Sequence, residues 1–279
     1  MTPVQRLIPL ALALLSTFAA DAHAGGSLGG PVGGPLSGEP AFSATATLAS
    51  QYVWRGIRRS DGRPAAQLGV NAANPDGWSA GAWLSSLGNR NADGWLEWDV
   101  YGGYSGKRGD LGYKLMAYYY GYPGALAAAG ARRGYGELVA GLNYKTAYAT
   151  SINATYYRTV TRDFSGIANA RGTGYVDVGV RHAIDKATTL NLHAGDGRVA
   201  GGNGNDAYNW RDVKAGLNHK LDSGWALAAS YSRAYGGDGM VNLERGTIAM
   251  PRGELRTIPD AKNSKGSRGA VVLSLARTF

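Results

Sequence analysis

Histidine is the side chain most often used for proton transfer near neutral pH, and this chain has four. His182, His193 and His219 lie late in the sequence, among many serines and aspartates. A Ser-His-Asp hydrolase is defined by geometry and not by order, so the composition leaves that reading open. No serine sits in a nucleophile context. The stretch "GGNGND", Gly201 to Asp206, matches a single copy of a calcium-binding repeat. Such sites are built from stacked copies, and one copy reads as a loop. Cysteine is absent, which removes disulfides, thiolate metal sites and cysteine nucleophiles. No catalytic residue, metal or cofactor is expected. What remains is a set of charges embedded in strand-like segments: Arg55, Glu97, Asp99, Lys114, Glu137, Lys145, Asp177, Arg181, Asp212 and Lys214. Their chemistry is electrostatic. They would bias a passing solute or pair across an enclosed space.

The elements that carry these charges have a period of two. Strands are expected at Phe42–Arg58, Pro64–Ala73, Gly77–Leu87, Trp95–Tyr104, Leu111–Tyr120, Tyr135–Lys145, Tyr148–Val160, Gly174–Ile184, Ala187–Gly195, Tyr208–Leu221, Trp225–Tyr235 and Gly269–Phe279. That makes about twelve, an even number, as in single-chain bacterial barrels. Helical spacing is weak, and only Ala125–Arg133 could form a turn or two. Tight turns such as "NPDG", "GKRGD", "YKTAY", "IDKA" and "LDSG" alternate with longer connections. "RRSDGR" is the one short member of the long set. An all-β transmembrane antiparallel barrel sorts its connections in this way, with short periplasmic turns and longer extracellular loops.

The two faces differ in chemistry. In "WLEWDVYGGY", Leu96, Trp98 and Val100 oppose Glu97, Asp99 and Tyr101. Val176, Val178 and Val180 oppose Asp177 and Arg181, and Val213, Ala215 and Leu217 oppose Asp212 and Lys214. A charge facing hydrocarbon at mid-depth would cost about 2–4 kcal/mol, so the charged face must be the inner one. Tyrosine and tryptophan near strand ends read as interfacial girdles, among them Tyr52, Trp54, Trp78, Trp95, Tyr104 and Trp225. On this reading Tyr52 and Trp54 look outward near the rim and Arg55 looks inward.

Both ends of the chain carry export signals. Arg6, the apolar run "LIPLALALLSTFAA" and the small-residue site Ala22–Ala24 have the form of a cleaved signal peptide over residues 1–24. Residues 25–41 are a Gly/Pro-rich tether, and the barrel is expected over 42–279. The last strand ends in Phe279, an aromatic terminus suited to recognition by barrel assembly machinery. The net charge of +9 is scattered, with no dense basic helix, so nucleic acid is not an expected partner. Outer-membrane lipids and lipopolysaccharide are, and the basic residues of the 236–268 stretch are candidates to meet their phosphates.

Several stretches resemble the TorF-type porin family of Gram-negative bacteria. "SQYVWRGIRRSDGRPAAQLGV" is similar to that family's first hairpin, and "LEWDVYGGYSG", "YYYGYPGA" and "YGELVAGLNY" are similar to its middle block, in order. The resemblance implies an outer-membrane barrel with a porin role and no catalytic residues. The expected function is passive diffusion of small polar solutes or ions across the outer membrane. A non-conducting barrel with a structural or adhesive role through its long loops is the alternative, and an outer-membrane hydrolase is the second. The 236–268 stretch could fold back and narrow the pore.

Overall fold

The computed structural model describes residues 40–88, 94–125, 131–202, 204–236, 247–249, 255–257 and 269–279. The signal peptide, the tether, most of the 236–268 stretch and the core of the helical turn expected within 125–133 lie outside the described residues.

Twelve antiparallel strands close into a barrel. In chain order they are β1 (Ala41–Ala49), β4 (Ala65–Ala73), β5 (Trp78–Ser86), β6 (Leu96–Arg108), β7 (Leu111–Gly121), β8 (Tyr135–Lys145), β9 (Thr150–Thr159), β10 (Gly174–Ala183), β11 (Thr188–Arg198), β12 (Trp210–Lys220), β13 (Trp225–Tyr235) and β16 (Ala270–Thr278). Each pairs with its neighbours in sequence, and the seam joins β1 to β16 with Thr45 opposite Thr278 and Ala49 opposite Ser274. Closure matters because an open edge would leave a row of unpaired N–H and C=O groups. Among the described residues four strands lie outside this ring. The short strands β2 (Val53–Trp54) and β3 (Ile57–Arg58) pair with each other, as do β14 (Thr247–Ala249) and β15 (Leu255–Thr257).

Alternate residues face outward and inward around the whole ring. The outward set is apolar and exposed: Leu115, Leu138, Leu142, Val178, Leu217, Leu227, Val271 and Leu273 among others. The inward set includes the buried Glu97, Asp99, Lys114, Glu137, Asp177 and Asp212. A soluble barrel inverts this pattern, with apolar groups inside and polar groups outside.

One end of the barrel carries the short connections 74–77, 109–110, 146–149, 184–187 and 221–224; the other carries the long ones. These are the turn end and the loop end. At the turn end, Trp78 packs edge-on against Tyr104 with ring centroids 5.3 Å apart, and Arg277 lies over the rings of Trp225 and Phe279. Phe279 extends the outward row of β16, and its N–H donates to Ala44 O at 2.8 Å. Trp95 is exposed at the loop end.

The first strand departs from the sequence expectation. Phe42–Arg58 is not one strand. β1 stops at Ala49, and the chain turns into the barrel as the β2–β3 hairpin before β4 begins at Ala65. Arg55 (φ 46) and Gly56 (φ 78) are both left-handed, the backbone of a type I′ turn. Alternation continues through the break, so periodicity could not mark it. Tyr52 and Trp54, expected in the outward girdle, are therefore 4% and 5% exposed inside the ring.

Candidate functional site: a lumen with an internal plug

The hairpin crosses the lumen at the loop end. At its tip, a Cβ on Gly56 would come within 2.6 Å of Asp212 Cβ and 2.9 Å of the Ala234 nitrogen, so glycine is required both by its backbone angle and by the closeness of β12 and β13. At its base, Gln51 Nε2 donates to Val271 O and Arg58 Nη2 to Gly269 O, each at 2.7 Å. Tyr52 meets Trp83 of β5 edge-on at 5.4 Å. The hairpin thus touches opposite walls.

Arg55 is the centre of this contact. Its guanidinium donates to both carboxylate oxygens of Glu137 on β8, Nη1 to Oε1 at 3.2 Å and Nη2 to Oε2 at 2.7 Å. The rings of Trp54, Tyr157 and Tyr175 lie 4.5, 4.5 and 4.2 Å from its Cζ. Tyr120 adds a hydroxyl donated to Glu137 Oε2 at 3.1 Å. A planar cation suits such a box because its edge pairs with carboxylate while its faces meet aromatic rings. A second carboxylate, Glu97 of β6, accepts from Tyr122 at 2.9 Å and Tyr52 at 3.4 Å, with Arg59 Nε 4.0 Å away.

A second inward turn, missed at the sequence level, meets the first. Residues 160–173, expected as an extracellular loop, fold over the lumen. Ser165 (φ 48) and Gly166 (φ 89) form the same left-handed pair, and Phe164 and Ile167 exchange backbone hydrogen bonds of 3.0 and 2.8 Å. Asp163 holds the turn by accepting from the Arg132 and Asn169 backbone N–H groups, each at 3.0 Å. Phe164 then packs among Trp54, Tyr135 and Trp210, with centroids 6.3, 4.9 and 6.1 Å apart. The two turns read Trp54-Arg55-Gly56-Ile57 and Phe164-Ser165-Gly166-Ile167. The shared aromatic-x-Gly-Ile pattern was the available signal.

Below the plug, towards the turn end, the inward residues are polar and half-buried: Asn71, Asn143, Asn153, Arg181, Asn191 and Lys214. Tyr101 caps this region and donates to Asn71 Oδ1 at 2.5 Å. From Tyr101 a stack of rings climbs the wall through Tyr118, Tyr120 and Tyr135, at 5.1, 6.1 and 4.6 Å. His193 stands between floor and plug, its Nε2 2.6 Å from Asp212 Oδ2 and its Nδ1 3.0 Å from Asp177 Oδ2. Tyr175 donates to Asp212 Oδ1 at 2.9 Å.

The structure brings Arg55, Glu97, Asp99, Glu137, Asp177 and Asp212 together around the plug, and sets Lys114 lower on the β7 wall. Arg181 and Lys214 line the polar floor, and Lys145 is exposed at the turn end. His182 and His219 point outward on β10 and β12; they hydrogen-bond to Thr150 Oγ1 at 2.8 Å and Thr188 Oγ1 at 3.0 Å, far from any nucleophile arrangement with His193. In the "GGNGND" stretch, Asn205 bridges two connections by donating to Ala168 O and Ala200 O. Among the described residues no cluster of carboxylates and histidines has the arrangement of a metal site.

The barrel is similar to solved porins. A KdgM porin in complex with disordered oligogalacturonate superposes with a TM-score of 0.54 at 9% identity, over 85% of this chain and 99% of that one. The NanC porin gives 0.53 at 10% identity, with the same coverage. At these identities the likeness concerns the fold. The comparison with curated proteins finds no match. A family model described as bacterial protein of unknown function (Gcw_chp) matches residues 34–246, most of the described barrel, and the chain belongs to that family.

Proposed function

We propose that this protein is a porin-like channel of the Gram-negative outer membrane, passing small polar solutes or ions by diffusion, and that the Val53–Arg58 hairpin is its constriction. The observation that carries the reading is the closed twelve-strand ring with an apolar exterior and a charged interior. Such a ring satisfies its own backbone and presents hydrocarbon-compatible side chains to the membrane. The likeness to KdgM and NanC porins supports a channel, and the stretches similar to TorF-type porins support the same compartment. The signal-peptide pattern at the N-terminus supports export. The periplasm lies on the turn end in this reading.

The specificity of the channel comes from its inner charges. Arg181 and Lys214 face the floor, while Glu97, Asp99, Asp177 and Asp212 surround the plug. A solute crossing the barrel meets cations first from the periplasm and carboxylates next, so the channel sorts by size and dipole more than by net charge. No residue is assigned to catalysis.

A specific observation favours the second reading, a barrel that is closed at rest. Tyr135, Phe164, Tyr175 and Trp210 are essentially fully buried inside the ring, between the hairpin and the wall. Planar-bilayer recordings on the full chain separate the two. The channel reading expects conductance steps in the parent protein that enlarge when residues 53–58 are replaced by a Gly-Ser turn. No steps in either protein would sink the channel. Steps only in the replacement variant would establish the resting-closed barrel.

A further inference from the structure

The outward face is uncharged over the middle of the barrel; Arg108 and Arg277 stand at the turn end, and a larger group of arginines stands at the loop end. Arg158 of β9, Arg198 of β11, Arg211 of β12 and Arg233 of β13 all point outward and are exposed. They terminate outward rows that are otherwise apolar, such as Ile152–Ala154–Tyr156 on β9 and Leu217–Ala215–Val213 on β12. The opposite wall, at the same end, presents Ala66, Ser86, Trp98, Tyr119 and Leu138 from β4 to β8, with no charge. The connections above that wall carry the exposed Arg63 and Arg132, so it is the strand-borne arginines that are concentrated on one side of the ring.

They are also arranged by the fold. Arg158 and Arg198 both lie opposite Gly174 of β10, one on each side, and the Tyr156 ring fills the space over that glycine, its hydroxyl 2.8 Å from where a Cβ would stand. Asp196 accepts from Arg198 through Nε at 2.5 Å and Nη2 at 2.9 Å, and from Arg211 Nε at 2.8 Å. One carboxylate thus holds two arginines side by side. Arg233 is steadied over the Tyr235 ring at 5.0 Å. Arg171 and Arg162 are exposed in the adjoining 160–173 connection, where Arg162 pairs with Asp163. Asp206 is the other exposed acid nearby, and the corner remains positive among the described residues.

We infer that this corner binds the phosphate groups of a glycolipid in the outer leaflet, with the guanidinium groups on phosphate and the acyl chains on the apolar rows beneath. The inference rests on the outer-membrane reading. Arginine presents paired donors that match phosphate oxygens, and at headgroup depth it keeps contact with water. The combination of a positive rim directly above bare apolar strand surface fits an amphiphile better than a free ion, which would use the rim alone.

The test uses the full chain folded in detergent, with bound lipid read by native mass spectrometry. Bisphosphorylated lipid A, its dephosphorylated form and inorganic phosphate are the three probes. The expected result is retention of bisphosphorylated lipid A at least about tenfold over the dephosphorylated form. The R158Q/R198Q/R211Q/R233Q variant should lose that preference, and a K107Q/R108Q variant at the turn end should keep it. Heat-modifiable migration on gels verifies folding. If the fourfold variant does not fold, R158Q/R233Q, which leaves the Asp196 bridges intact, is expected to reduce the preference at least about threefold. Equal retention of both lipids, unchanged retention in the variants, or inorganic phosphate binding as tightly as the lipid would overturn the assignment. Failure of the parent protein to insert into liposomes would instead overturn the outer-membrane reading, and is scored separately.

Discussion

Arg55 occupies a backbone region that costs a side-chain-bearing residue about 1–3 kcal/mol, and it does so inside a protein. Asparagine or glycine would relieve the turn. The compensation is the bidentate pair with Glu137 and the three rings around the guanidinium. A buried pair adds little net stability over an apolar substitute, but losing one partner strands the other. Glu137→Ala is therefore expected to destabilise the detergent-folded barrel by about 3–5 kcal/mol, measured by urea unfolding. A change below about 0.5 kcal/mol, the range of ordinary surface substitutions, would mean that the pair does not anchor the hairpin. Gly56→Ala adds a Cβ against Asp212 and Ala234 at a left-handed position. Its expected effect is a displaced hairpin, read as more frequent or larger conductance steps. At this scale the sequence reading placed Arg55 on the inner side through strand alternation. It placed Tyr52 and Trp54 outside, because alternation assigns sides only while the strand stays in the wall.

At the scale of elements, the short turns do different work from the inward ones. Asp185 opens the 184–187 turn, and its carboxylate accepts the Ala187 and Thr188 N–H groups at 2.7 Å each. Those bonds hold its pKa below the usual carboxylate range. A depressed carboxylate stabilises the turn at pH above its unfolded value of about 3.9, and that support is lost as the pH falls through the depressed value. Amide exchange at Ala187 and Thr188 should accelerate in that acid range, and Asp185→Asn should flatten the response. The inward turns instead depend on each other. Trp54 and Phe164 share one aromatic cluster, and Gly166 lies where a Cβ would meet the Arg133 side chain at 2.9 Å. Loosening Phe164–Ile167 by Gly166→Ala should mobilise the Val53–Arg58 hairpin as well, visible as narrowed spin-label spectra at position 58. Unchanged spectra would show that the two turns move independently. The pairing of turn and strand was legible because hairpin signals are local. The docking of one turn on another was not, since it joins residues more than a hundred positions apart.

For the whole molecule, closure converts a two-residue period into two solvents. Spin labels at Val178 and Leu217 should report hydrocarbon and those at Asn153 and Asn218 should report water. Water at the first pair would contradict the membrane orientation. In a conducting protein, Asp99→Lys and Arg181→Glu should each shift the reversal potential, in opposite directions. Unaltered selectivity in both would remove these side chains from the conduction path.

The order of turns and loops, the number of strands and the inner position of most charges follow from the amino-acid sequence alone, because each depends on neighbours along the chain or on a strict alternation of side chains. Which part of the chain fills the lumen was decided only in the folded ring. The Val53–Arg58 hairpin and the Phe164–Ile167 turn meet Glu137, Tyr135 and Trp210 from strands remote in sequence. No local pattern encodes that meeting: a tryptophan beside a strand serves equally well at a membrane surface or within a plug, and its side is chosen by the space that closure leaves to be filled.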